Sequence, residues 1–327
     1  MSDSLAVAVY GAAGALGKEV RVGLEGSELD IEKLVAVGGV ASTADTIPWH
    51  GKQIAVIAPP ELVPGSVDVA ILAAPAHVAA AETARLRAHD VLVVDLSGGA
   101  TIDGAPLPVV WPPVAREALE RHPGGFALPC AAASTLAPVL AAITGTGLRG
   151  GQVDVVELAA ATDAGQKGSE ALSRQTVGLL SYQLVDAAPF SDSLAFNVLS
   201  LDADDDAARA ARTEREVREL VPGVARCRAT TLRIPVFLGT VVVVTARFPG
   251  QTPDAVAIAA ALDEHPDLNL VEDTLSLRDA GDSDVVLVTR PVIDGDTVRV
   301  FAAADPLHRI GTRVAMTLEL VANEDLW

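Results

Sequence analysis

The sequence predicts an α/β protein: a helix-covered parallel sheet in the N-terminal part, followed by an α+β part built on one large mixed sheet. Three observations carry this. The chain opens with an apolar strand, a glycine turn and a helix start in LAVAVYGAAGALGKEV, residues 5–20. Short, continuously apolar runs then alternate with helical patterns, as in sheets buried on both faces. Beyond residue 126 the strand candidates lengthen, and some are joined by turns rather than by helices.

The opening stretch places Gly11, Gly14 and Gly17 in a G-x-x-G-x-x-G spacing between strand and helix. Glycines at such a turn let backbone N–H groups approach a pyrophosphate, and the helix dipole favours the negative charge. The spacing differs from the commoner G-x-G-x-x-G, so position after a strand carries more weight than the pattern itself. The alternative is a glycine-rich βα turn without a ligand.

Further strands are predicted over 34–40, 53–58, 67–74 and 91–96, with a helix over 76–88. Proline and glycine at 108–113 and 122–125 mark a boundary. A strand at 126–129 then feeds a helix over 134–143, with Ser134-Thr135 as its N-cap. In the second part, strands are predicted over 153–161, 229–236, 240–248, 285–293 and 297–304, the last two forming a hairpin around Asp294-Gly295-Asp296. Helices are predicted over 170–184 and 202–220, the acidic start of the latter suiting a helix N-terminus. A final helix over 308–323 carries Ile310, Val314, Leu318 and Val321 at helical spacing and is expected to return to the first domain.

Composition narrows the function. The 327 residues include 43 acidic against 24 basic side chains, a formal net charge of −19. Such a field repels a phosphate backbone or an anionic membrane, so neither nucleic acid nor membrane is expected as a partner. No apolar stretch reaches the roughly 20 residues of a bilayer span, and no secretory leader is visible. Two cysteines, Cys130 and Cys227, make no disulfide framework and suit a cytoplasmic, reducing setting. The six histidines, His50, His77, His89, His122, His265 and His308, show no metal-ligand spacing, so no metal site is predicted.

The stretches YGAAGALGKEV, VDVAILAAPAHVAA, VLVVDLSG, LPCAAASTLAPVLAAI, ATDAGQKGSEALSRQT, TLRIPVFLGT and AADPLHRIGTRVAMTLEL, in this order, resemble the aspartate-semialdehyde dehydrogenase family from end to end. The resemblance implies an NADP-binding Rossmann-like domain over 1–125, completed by a C-terminal helix over 305–327. It implies a dimerisation and substrate domain over 126–304, and a homodimer. The family's reaction is the reversible, NADP-dependent reductive dephosphorylation of aspartyl phosphate to the semialdehyde, through a cysteine thiolate and a histidine base.

Carried over position by position, the resemblance finds most of that machinery replaced. The family's Pro-Asn-Cys turn reads Pro129-Cys130-Ala131-Ala132-Ala133, so the nucleophile position falls on Ala131 or Ala133, and Cys130 serves only in a rebuilt turn. The histidine position after R-[IV]-P-V is Thr240, whose hydroxyl is no base near neutrality. The glutamine position is Ala159, and the S-G-A-G turn reads Thr162-Asp163-Ala164-Gly165. The phosphate-binding arginine falls near Thr101, and a Glu/Lys helix motif is replaced by Ala207 and Ala210. Arg233 matches the arginine that binds the substrate carboxylate; its alternative is a structural ion pair. The pattern is similar to the Usg-type branch of the family, which lacks the catalytic residues.

For NADP, the resemblance implies contacts from Gly11, Ala12, Ala13, Gly14, Ala15, Leu16 and Ser42. The segment 38–43 offers neither an acid for a ribose 2′-hydroxyl nor an arginine for a 2′-phosphate, only the hydroxyls of Ser42 and Thr43. His308-Arg309 stands at the start of the last helix without a demanded role. The sequence therefore predicts a family member without the family's catalysis, with NADP binding and a binding or regulatory role. The alternatives are an active dehydrogenase using Cys130, and a different oxidoreductase built around Arg233 and the glycine turn.

Overall fold

The computed structural model describes residues 4–327 except Val40, Ala41, Ala44 and Pro113. They fall into two compact units, residues 1–130 with 310–327, and residues 131–309.

In the first unit β1 (Leu5–Tyr10), β2 (Ile31–Val37), β3 (Thr46–Trp49), β4 (Lys52–Ile57), β5 (Val69–Leu72), β6 (Leu92–Asp95) and β9 (Gly125–Ala127) form one sheet. β7 (Thr101–Ile102) and β8 (Ala105–Pro106) make a separate two-stranded ribbon. The order is β3-β4-β2-β1-β5-β6-β9, parallel throughout except that β3 runs antiparallel to β4. β1, β5 and β6 are buried along their whole length, which is why they read as continuous apolar runs. Helices α1 (Ala15–Glu25) and α2 (Ala76–Arg87) cross over between strands. With β2 on one side of β1 and β5 on the other, the strand order reverses at the end of β1, where ligands bind in open α/β sheets.

The second unit holds α3 (Ala131–Gly145), β10 (Gly151–Ala159), α4 (Gly165–Leu180), β11 (Leu199–Ser200), α5 (Ala203–Leu220), β12 (Val224–Arg233), β13 (Thr240–Arg247), α6 (Ala255–Glu264), β14 (Leu268–Val271), β15 (Val286–Thr289), β16 (Val292–Asp294) and β17 (Thr297–Ala304). The sheet runs β11-β12-β10-β13-β17-β15-β14, with β16 also on β17. It is mixed: β10–β12 and β14–β15 are parallel, and the other pairs antiparallel. Burial alternates along β10 and β13, with Val153, Val155, Val242 and Val244 on the face that packs on α3 and α5.

The last helix, α7 (Pro306–Asn323), starts in the second unit, and from Ile310 onward it belongs to the first. There Arg313 lies 5.0 Å over the Trp111 ring and donates to the Pro112 carbonyl at 2.9 Å. Asp305 caps the helix by accepting from the amides of Leu307 and His308.

Four sequence expectations are corrected. The strand expected at 34–40 occupies Ile31–Val37; Val40 lies outside the described residues. The single strand expected over 285–293 is two, β15 and β16, broken at Arg290-Pro291 because proline supplies no ladder donor. α6 and β14 lie where no element was predicted. Helix α3 begins at Ala131, and Ser134 and Thr135 are not its cap. Both hydroxyls instead bond back to the Ala131 carbonyl, at 2.9 and 2.8 Å. The hairpin at Asp294-Gly295-Asp296 is present, with Gly295 at φ +58°.

Candidate functional site

The first candidate region is the glycine turn. Gly11 has φ +71°, and a Cβ there would stand 2.2 Å from the Ala73 carbonyl oxygen. A Cβ on Gly17 would stand 2.2 Å from the Gly11 oxygen. These two residues therefore set how closely strand and helix approach. The amides of Gly11 and Ala12 both donate to the Val37 carbonyl, at 2.8 and 3.3 Å, and that of Gly14 donates to Gly11 at 2.8 Å. Ala12 is sealed, while Ala13, Ala15 and Leu16 are half-buried and Gly14 is exposed.

Gly14 is the N-cap of α1; no side chain caps it, and the first turn contains no acid. The amides of Ala15 and Leu16 have no intrahelical acceptor at a helix start. They are the donors, backed by the helix dipole, that suit an anion. The bare cradle and the exposed Gly14 fit a pyrophosphate. Ser42 is half-buried past the end of β2, its amide on the Gly39 carbonyl at 2.8 Å.

Two residues not singled out from sequence support this turn. Arg21 is buried and donates to the Ala12 carbonyl at 3.2 Å and to Pro48 at 2.6 Å, pinning the turn to β3. Burial lowers its pKa, with Glu25 opposing. The Tyr10 hydroxyl donates to Glu82 at 2.9 Å and accepts from Arg85 at 3.2 Å, tying the end of β1 to α2. Burial first, and then Glu82, holds the Tyr10 pKa above its ordinary value.

The second region lies at one end of the mixed sheet. Arg233, Ala159 and Thr240 fall in a single register row: Ala159 pairs with Arg233 on one side and with Thr240 on the other, and Thr240 pairs with Ala304. Three positions spread over eighty residues of sequence thus lie on adjacent strands, each about 4.8 Å from the next. Thr240 is 2% exposed. Its hydroxyl lies 3.4 Å from Glu157 Oε1 and 3.3 Å from the Leu158 carbonyl.

Glu157 is likewise 2% exposed and anchors a polar cluster. It accepts from Thr231 Oγ1 at 2.9 Å and from Arg209 Nη2 at 2.9 Å. Arg209 also donates to Asp163 at 2.6 Å, and Asp163 stands 3.5 Å from Arg233 Nη2. Asp206 accepts from the Thr231 amide at 3.1 Å, and Asp202 caps α5 through the Asp205 amide at 3.0 Å. The acidic start of α5 is therefore used in capping and in this cluster.

Of the other predicted positions, Ala207 is exposed and Ala210 half-buried on α5, flanking Arg209. Thr101 is exposed on β7, beyond a turn shaped by Asp95, which accepts from the Ser97 amide at 2.8 Å and the Ala100 amide at 3.0 Å. Cys130 is half-buried and directly precedes α3, Ala131 is half-buried, and Ala133 is fully buried. Arg309 is buried at 1% exposure, and His308 lies 3.4 Å from Asp284.

A cavity of about 710 Å³ begins one residue from Thr240, bounded by Phe237, Leu238, Gly239, Leu277, Arg278 and Asp305. Among the described residues, no group of three or more His, Cys, Asp or Glu is placed to hold a metal. No described helix is long and apolar enough to cross a membrane. Glu157 and Arg209 were not singled out from sequence, and Asp163 was read only as part of the turn Thr162-Asp163-Ala164-Gly165. The available signal was Glu157 itself, a charge at an inward position of an otherwise apolar-inward strand.

A parallel sheet with an open glycine turn at its switch point, followed along the chain by a mixed-sheet unit that carries Arg233, Ala159 and Thr240 in one row, defines a two-unit α/β architecture whose first unit is Rossmann-like. The chain belongs to the semialdehyde dehydrogenase family. Residues 6–122 match the model for the semialdehyde dehydrogenase NAD binding domain, and residues 137–309 the model for its dimerisation domain. A USG-1 protein homolog of Pseudomonas aeruginosa is 29% identical over 80% of this chain and 79% of its own length. An aspartate-semialdehyde dehydrogenase of Vibrio mimicus is 28% identical over 89% of this chain and 94% of its own. The fold matches a crystal structure of aspartate semialdehyde dehydrogenase II from Vibrio cholerae with TM-score 0.89 and 23% identity, over 99% of both chains.

Proposed function

We propose that this chain is an aspartate-semialdehyde dehydrogenase-like homodimer that binds NADP but does not carry out reductive dephosphorylation, and acts as a binding or regulatory protein. The observation that carries the reading is Thr240. At the position where the resemblance implies an imidazole, a buried hydroxyl lies against the Glu157 carboxylate and the Leu158 carbonyl. A group with a pKa far above neutrality cannot take up the proton of hydride transfer. Ala159, the next position in the row, has only a methyl, and Ala131 and Ala133 have no thiol.

The cofactor would lie with its pyrophosphate on the amides of Ala15 and Leu16. Ser42 is within the segment that faces a 2′-substituent, where no acid selects the unphosphorylated ribose. A homodimer is supported by the match to the dimerisation domain and by Val156 and Phe301, exposed on the face of the mixed sheet opposite its helices. Arg233 keeps the guanidinium that the resemblance assigns to a ligand carboxylate, here with Asp163 at 3.5 Å. A cytoplasmic, reducing location belongs to the same reading, because two cysteines in 327 residues make no disulfide framework.

One observation favours an active enzyme: Cys130 directly precedes α3 and is half-buried rather than sealed, and a helix N-terminus activates a thiol. Phosphate-dependent NADPH formation from aspartate semialdehyde, with wild type beside Cys130→Ala, separates the two. No turnover by a folded wild-type protein that binds NADP supports the proposal. Turnover that vanishes in Cys130→Ala replaces it with the active enzyme.

A further inference from the structure

The polar cluster at the end of the mixed sheet sets arginines against carboxylates. Arg209 is held between Glu157 at 2.9 Å and Asp163 at 2.6 Å, and Arg233 has Asp163 at 3.5 Å. Two guanidiniums thus face two carboxylates. Burial alone would lower the Arg209 pKa, but Glu157 and Asp163 outweigh it and hold the cation charged.

Arg233 is the less satisfied of the two. Its distance to Asp163 is long for a charge-assisted bond, and its Nε is buried without a hydrogen-bond partner. Its guanidinium carbon lies 5.7 Å from the centre of the Phe190 ring. A planar fork with a spare donor, backed by an aromatic ring, is a receptor for a carboxylate. Asp163 already supplies the negative charge that such a ligand would bring. It is fixed in a 3-10 turn, Ala161–Ala164, by its amide on the Ala160 carbonyl at 3.1 Å. The related S-G-A-G turn has glycine at this position, so the carboxylate is an addition to the turn.

We infer that Asp163 is an internal carboxylate that occupies Arg233 and keeps a ligand's carboxylate off it. The inference rests on the assignment of Arg233 to a ligand carboxylate in the proposed function. A second anion brought to Arg233 meets Asp163 at close range in a partly buried site, where like charges repel more strongly than in water. The chain is therefore closed to small carboxylates at Arg233 as long as Asp163 is charged and in place.

Calorimetric titration of the full chain with succinate and with L-aspartate as probes tests this. Asp163→Asn and Asp163→Gly should each bind at least one probe tenfold or more tighter than wild type, and Asp163→Glu should stay as weak as wild type. Adding Arg233→Ala to Asp163→Asn should remove the gain. A folded Asp163→Asn protein with wild-type affinity for both probes overturns the inference, as does a gain that survives Arg233→Ala. Failure of both the Asn and Gly variants to fold also overturns it, because the pair would then be structural. The readout needs neither cofactor nor turnover, so catalysis by the wild-type protein, which sinks the proposed function, leaves this result to be read by itself.

Discussion

Arg309 Nη1 donates to the main-chain carbonyl of Ser134 at 3.1 Å, and this is the carbonyl that Pro138 leaves open inside α3. A proline four residues on has no N–H to offer, so a buried helix would carry an orphaned acceptor there. The guanidinium supplies the missing donor. It also donates to the Asp284 carbonyl at 3.0 Å and lies 3.8 Å from Asp267. Replacing Arg309 by methionine should cost about 3–5 kcal/mol, the usual loss when one partner of a buried pair is removed. Urea unfolding of the full chain reads this directly, and a change below about 1 kcal/mol would mean that water replaces the guanidinium.

At the glycine turn, stability and ligand binding should separate. Gly14→Asp places an acid at the N-cap of α1, where φ of −75° suits an L-residue and the new Cβ would stand 3.2 Å from the Gly11 carbonyl oxygen, a contact that a shift of a few tenths of an ångström relieves. The helix should gain up to about 1 kcal/mol, whereas an anion at the same amides should be repelled. The expected outcome is an unchanged or raised Tm with NADP binding lost by fluorescence titration. Gly11→Ala should instead lower Tm and NADP binding together, because its Cβ meets the Ala73 carbonyl.

Thr240→Val removes one hydroxyl from the Glu157 environment and should cost about 1 kcal/mol. Glu157→Gln should cost more, about 3 kcal/mol, because it leaves the Arg209 cation with Asp163 alone. Chemical denaturation of the two variants side by side checks the order.

Cys227 is 3% exposed, and burial, aided by Glu214 and Asp154, pushes its thiol pKa up to about 12 from an ordinary 9.0. The folded state therefore holds this proton more tightly than the unfolded chain. The stabilisation is complete below pH 9 and is lost as pH rises toward 12. Cys227→Val should flatten that alkaline decline in urea titrations. With a thiol reagent at pH 8, native protein should expose the half-buried Cys130 quickly and Cys227 only on unfolding.

Much of this was legible in the sequence because each signal was local. The run at residues 5–20 is strand, turn and helix in one stretch, and β5 and β6 announce themselves by unbroken apolar residues buried on both faces. α6 was missed because AVAIAAALDE is apolar nearly all round and so lacks a period to read. β3 hides behind Pro48, which an edge strand tolerates and a central one does not. The start of α3 was misread because Ser134-Thr135 has cap chemistry, yet its hydroxyls bond within a helix already under way.

The candidate site divides the same way. Arg233, Ala159 and Thr240 were placed by resemblance, but that they share one row is a matter of strand pairing. The contact of Asp163 with Arg209 joins a turn to a helix 46 residues away, and no spacing rule reports it.

The row itself has a consequence for descent. Strand pairing is written in main-chain N–H and C=O groups, which are the same whatever side chain stands above them. A lineage can therefore exchange the occupants of such a row one at a time and still inherit the frame intact. Ancestry stays visible in the ladder long after the occupants have changed trade, and kinship of shape among these proteins is no certificate of a shared reaction.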